Sequence, residues 1–138
     1  MSEQITKEQL FGGIAAPSEP HMACVLLLDI SSSMKGAPIQ SLNEAIAKFK
    51  QQVCQDPLAR KRVEVAIVTF ETHVEIVSDF MPIDQMPAIT LEPGGQTHMA
   101  EAIQVAIDLV KKRTREYQGV GVPCFKPWIF MITDGVSM

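Results

Sequence analysis

The sequence predicts an α/β domain: a mostly parallel sheet with helices on both faces. Three observations predict it. Residues 22–28, 63–70 and 128–133 are short, nearly continuous apolar runs, the pattern of strands buried on both faces. Two segments with apolar residues three and four apart lie between those runs, as amphipathic helices require. Strands alternating with helices imply right-handed crossovers.

The elements follow in order. Residues 1–20 read as a leader ending in a Pro/Gly/Ala/Ser stretch, and 21–138 as the domain. Residues 22–28 form the first strand, and 30–37 a turn rich in Ser and Gly. Pro38 suits a first helical turn, where its missing N–H is no loss. Ile39, Leu42, Ile46, Phe49 and Val53 then mark one helical face, which Asp56-Pro57 ends. Val63–Phe70 is rich in β-branched residues. Residues 74–80 alternate, with Val74, Ile76 and Phe80 on one face and Glu75 and Asp79 on the other, predicting an antiparallel edge strand. A long loop with three prolines and two glycines covers 81–96, a length often tied to function. Met99, Ala102, Ile103, Ala106 and Val110 line a second helix over 99–117. Lys111, Lys112, Arg113 and Arg115 read as its solvated end, opposing the helix dipole. Residues 128–133 are the last strand, followed by Asp134-Gly135.

Bulk numbers narrow the function. The chain has 138 residues, enough for one core, with 46% apolar and 20% charged residues. A net charge of −4 gives no whole-chain reason to expect nucleic acid or an anionic membrane. No apolar run approaches the ~20 residues of a spanning helix. The N-terminus carries Glu3, Lys7 and Glu8 and lacks a signal-peptide core. Three cysteines without a CxxC spacing argue against a zinc site or a disulfide framework, and for a reducing, cytoplasmic setting.

Three polar clusters fall at element ends: Asp29, Ser31 and Ser33 after the first strand, Thr97 before the second helix, and Asp134 after the last strand. In open α/β sheets ligands bind outside the carboxyl ends of strands, where strand order reverses. The clusters are therefore expected to converge. Every candidate ligand is a hard oxygen, which suits Mg²⁺, with Mn²⁺ or Ca²⁺ as alternatives. Two carboxylates balance two charges, and the hydroxyls add none. The metal then keeps affinity for one more anionic oxygen, an Asp or Glu of a partner.

Asp29-x-Ser31-x-Ser33, with Thr97 in "GGQTHM" and Asp134 in "ITDG", resembles the metal-ion-dependent adhesion site of von Willebrand factor A domains. The resemblance implies a Rossmann-like fold and hydroxyl ligation by Ser31, Ser33 and Thr97. Asp29 and Asp134 would act directly or through water. Met34, Gly95, His98 and Met99 would form the partner-binding rim. "PIQSLNEAIAKF", "VEVAIVTF" and "PWIFMITDG" are similar to small bacterial von Willebrand A proteins of the TerY type, which implies a cytoplasmic tellurite- or stress-response setting. On family topology the sheet order is 3-2-1-4. Family members continue past Asp134, so the expectation is a C-terminally shortened fold. Its last strand would be exposed at an edge, open to self-association through 128–133.

Plainer readings stand beside these. Asp-x-Ser-x-Ser is also common turn and cap chemistry, and Thr97 suits a helix N-cap. His73 and His98 have no partner histidine at ligand spacing. Pro93-Gly94-Gly95 lacks the Lys-Ser/Thr of a phosphate loop and reads as a hinge. The leading function is a non-enzymatic, metal-dependent protein-interaction module. The alternative is a Mg²⁺-dependent phosphoryl-transfer enzyme of haloacid-dehalogenase type, with Thr69 as its threonine. That chemistry needs a second Asp as general acid where this chain has Ser31. Asp29→Ala is expected to remove metal binding and leave the fold intact, as for a site on a surface rim.

Overall fold

The computed structural model describes Ile14 and residues 18–133. Strand β1 (Met22–Asp29) is followed by a single 3-10 turn at Ser32–Met34 and by helix α1 (Ala37–Gln55). A short helix α2 (Pro57–Arg62), strands β2 (Val63–Phe70) and β3 (Val74–Pro82), a second 3-10 turn at Ile83–Gln85, helix α3 (Met99–Gly119) and strand β4 (Trp128–Ile132) complete the order. The sheet runs β3-β2-β1-β4. β1 pairs in parallel with β2 and β4, and β2 pairs antiparallel with β3. This is the expected order and the expected single antiparallel edge.

Side-chain alternation divides the core. Cys24, Leu26 and Leu28 of β1 join Val63, Val65 and Ile67 of β2 on one face, under Ile39, Leu42 and Ile46 of α1. Val25 and Leu27 join Ala66, Val68 and Phe70 on the other, under Ala102, Ala106 and Val110 of α3. A sheet covered on both faces needs apolar residues at most strand positions, which is why β1 and β2 read as nearly unbroken runs.

Three local expectations change. Asp56 ends α1 but also starts α2: its carboxylate accepts from the N–H groups of Leu58 and Ala59 at 2.9 and 3.2 Å, an N-cap with Pro57 just inside. β3 does not alternate as read, because its register against β2 shifts between Val65 and Ile67 and again between Ile67 and Val68. Each shift inserts a residue, so Ile76 and Val77 turn outward at 48% and 41% exposure. Of the segment read as a leader, Ile14 is buried beside Ala23, Tyr117 and Val122, and Glu19 pairs with Arg62 at 3.1 Å. The rest of 1–17 lies outside the described residues.

The 81–96 loop is pinned rather than loose. The Asn43 side chain donates to the Leu91 carbonyl at 3.2 Å and accepts from the Leu91 N–H at 2.8 Å. Lys50 donates to the Met86 carbonyl. Ile83 and Met86 are buried beneath the loop.

Candidate metal centre

Asp29 is the last residue of β1, at the carboxyl end of the sheet, and is fully buried. Chain geometry after the strand explains how a carboxylate is held there. Ile30 N–H still bonds the Phe70 carbonyl at 3.0 Å, so the backbone leaves the sheet only at residue 31. The Ser31 N–H then turns back and donates to Asp29 Oδ1 at 2.8 Å. The Thr133 hydroxyl, just past β4, donates to Asp29 Oδ2 at 2.7 Å. Each carboxylate oxygen accepts one bond and keeps lone-pair capacity for another. Ser31, also buried, places its Oγ 3.1 Å from Ser33 Oγ, and the 3-10 turn keeps both hydroxyls on one side.

The Thr97 loop reaches the same turn through its backbone. Gly94 N–H donates to the Ile30 carbonyl at 2.7 Å, and Ser32 N–H donates to the Gly95 carbonyl at 2.8 Å. Two residues later, Thr97 Oγ1 is buried and has no hydrogen-bond partner among the described residues. The sequence offered Thr97 as an N-cap. The structure gives that position to His98, and no side chain caps α3. A buried hydroxyl without a partner is costly, roughly 1–3 kcal/mol, and calls for an explanation such as an ion.

These residues form a neutral-hydroxyl and single-carboxylate oxygen set. Among the described residues no three His, Cys, Asp or Glu side chains group together. The donor set fits a hard divalent cation that keeps waters, rather than a soft-ligand site. Asp29, Ser31, Ser33 and Thr97 would hold the ion. Asp134 lies outside the described residues.

Residues 24–136 match the sequence pattern of the von Willebrand factor type A domain. The chain belongs to that family. Among solved structures it is similar to the von Willebrand domain of the type V pili tip protein Mfa5 from Porphyromonas gingivalis: 25% identity, TM-score 0.60, covering 86% of this chain and 39% of that one. It is also similar to the ArnB paralog VWA2 from Sulfolobus acidocaldarius, at 18% identity and TM-score 0.53, covering 86% and 28%. The chain thus spans two fifths or less of those two chains. No curated protein matches.

In this von Willebrand A domain the expected rim divides. Gly95 and His98 are exposed, and Met99 is half-buried against the α3 face of the sheet. Met34 is not a rim residue: it is 2% exposed and packs in the α1-side core with Ile39 and Leu42. The expectation that Asp29 sits on a surface rim is also corrected. Its carboxylate is buried and holds two neighbours, so Asp29→Ala would orphan the Ser31 N–H as well as remove a charge.

Two features escaped the sequence reading. Thr133 was read only as the end of a strand, yet it fixes Asp29. The basic run on α3 was read as solvated, yet Arg113 turns inward onto buried Glu64. Its Nε and Nη2 donate to Glu64 Oε1 and Oε2 at 2.9 and 3.0 Å, and Tyr117 OH also donates to Oε1. Arg113 further lies over the Tyr117 and Phe80 rings, 5.1 and 6.0 Å from their centroids. Burial opposes the Arg113 charge, but hydrogen bonding and attraction from Glu64 outweigh it and raise its pKa. Burial first, and the Glu64 charge next, push the Tyr117 phenol up as well. The signal was an acid inside an otherwise apolar strand, "VEVAIVTF", which demands a cation from a covering helix.

Proposed function

We propose that this von Willebrand A domain is a metal-dependent protein-interaction module. It binds Mg²⁺, with Mn²⁺ or Ca²⁺ as substitutes, through Asp29, Ser31, Ser33, Thr97 and Asp134, and the ion is bridged to an Asp or Glu carboxylate of a partner. The observation that carries the reading is the buried Thr97 Oγ1, without a hydrogen-bond partner among the described residues, on a loop bonded to the turn that follows Asp29 and holds Ser31 and Ser33. With three neutral hydroxyls among its five protein ligands, the ion stays electrophilic enough to accept one more anionic oxygen. Gly95 and His98 flank the place where such a partner would sit.

The module is proposed to act without catalysis. Ser31 stands where a phosphoryl-transfer enzyme would need a carboxylic acid, and a hydroxyl does not protonate a leaving group usefully at neutral pH. A generic phosphate-ester assay that stays at background supports this. Turnover lost in Asp29→Asn would contradict it. A cytoplasmic, TerY-like stress-response setting is proposed on the sequence likeness and the three unpaired thiols. Self-association through β4 is proposed because Trp128, Ile129, Phe130 and Met131 of this edge strand are 36–54% exposed.

The bridging step is tested with Mn²⁺ as probe. Bound Mn²⁺ should speed water-proton relaxation, and a short Glu-containing peptide should then reduce that enhancement by displacing an inner-shell water. The matched Gln peptide should have no effect. Equal effects of the two peptides would reject the carboxylate bridge.

A further inference from the structure

The Thr97 loop is held between two turns, only one of which carries expected site residues. On one side it bonds the turn after β1, through Gly94 to Ile30 and Gly95 to Ser32. On the other it meets the turn joining β2 to β3. There the Gln96 N–H donates to Thr72 Oγ1 at 3.0 Å. Gly95 adopts φ +79°, and a Cβ at that position would run into the Glu71 carboxylate and lie 2.6 Å from Thr72 Oγ1. The β2–β3 turn is itself closed by a bond from the Glu71 N–H to the His73 carbonyl at 3.0 Å. The loop is thus seated backbone-to-side-chain against Glu71 and Thr72, one residue before Thr97.

We propose that Thr72 and Glu71 are positioning residues for the metal centre, setting where the Thr97 hydroxyl stands through their contacts with Gln96 and Gly95. The inference rests on the metal reading above. Neither side chain touches the ion. Their effect is to remove the freedom of a loop that would otherwise pay ordering entropy when the metal binds. Glycine suits this position because its left-handed backbone strains any side chain, and a Cβ would also push the Glu71 carboxylate aside.

The test compares the parent with Thr72→Val, Thr72→Ser and Gly95→Ala. Three quantities are read: the Mg²⁺ dissociation constant, the melting temperature without metal, and the exchange rate of the Gln96 amide without metal. Thr72→Val should exchange that amide faster, bind Mg²⁺ about fivefold more weakly, the worth of one hydrogen bond, and melt at most a few degrees lower without metal. Thr72→Ser should restore both. Gly95→Ala should weaken Mg²⁺ binding more than Thr72→Val does. Faster Gln96 exchange in Thr72→Val with parental Mg²⁺ affinity would overturn the positioning role and leave the metal reading standing. A lost affinity that Thr72→Ser does not restore would also overturn it. No saturable Mg²⁺ binding by the parent would overturn the metal reading, and this proposal with it.

Discussion

At the scale of single residues, the proposed metal site gives Thr97 opposed effects on stability and on binding. Without metal its buried hydroxyl lacks a hydrogen-bond partner among the described residues. Thr97→Val keeps the shape and removes that cost. The metal-free variant should therefore melt no lower than the parent, and up to a few degrees higher. Its Mg²⁺ affinity should fall tenfold or more. Opposite signs from one substitution distinguish a ligand from a packing residue, and calorimetry with a thermal melt reads both. Cys24 offers a second check. Burial pushes its thiol up to about 12, so the native thiol stays protonated. Cys54 and Cys124 are half-buried. Alkylation at pH 8 should modify Cys24 only on unfolding, after the other two. The raised pKa means the native state holds this proton more tightly than the unfolded chain. Its contribution is full below the ordinary thiol range, and is lost as pH rises through about 9 towards about 12. Tyr117 shifts in the same direction.

At the scale of elements, α3 is tied to the sheet by charge as well as by its apolar face. Arg113 and Glu64 side chains are 12% and 3% exposed, so removing Arg113 leaves the buried Glu64 carboxylate without its cation, held only by the Tyr117 hydroxyl. Arg113→Ala should cost about 3–5 kcal/mol in a denaturant titration. Replacing both members with apolar residues should cost much less. This pairing marks a limit of what was legible. Strand and helix positions followed from apolar periodicity, because β1, β2, α1 and α3 each bury a regular set of side chains. The partner of Glu64 could not be read, since an ion pair 49 positions apart leaves no local pattern. β3 failed for a related reason: two inserted residues break the alternation on which its reading depended. Asp56-Pro57 reads as a helix stop in the sequence and is both the stop of α1 and the start of the short helix α2.

At the scale of the whole molecule, the proposed site rests on two parallel neighbours, β1 and β4, that set Asp29 and Thr133 side by side, and on two backbone bonds that bring the Thr97 loop to the turn after β1. The convergence of Asp29, Ser31 and Ser33 was legible from spacing at a strand end. The supports from Thr133 and from the Glu71–Thr72 turn were not, because each depends on tertiary placement. Saturating Mg²⁺ should raise the melting temperature, with about 2.7 kcal/mol of added stability at one hundred times the dissociation constant. β4 leaves a row of large apolar side chains at the sheet edge. Sedimentation should show concentration-dependent association, reduced by Met131→Lys, which places a charge on that edge. An unchanged distribution in the variant would remove β4 from the association.

The proposed function depends above all on a divalent cation held by a charge that Asp29 supplies. The most direct measurement is a calorimetric titration of Mg²⁺ into metal-free protein beside Asp29→Asn. That variant keeps an acceptor for the Ser31 N–H and removes the charge, which Asp29→Ala would not do cleanly. Saturable one-site binding by the parent is expected, with at least a hundredfold loss in a variant whose melting temperature without metal matches the parent. Equal binding by the two proteins, or none by a folded parent, would contradict it.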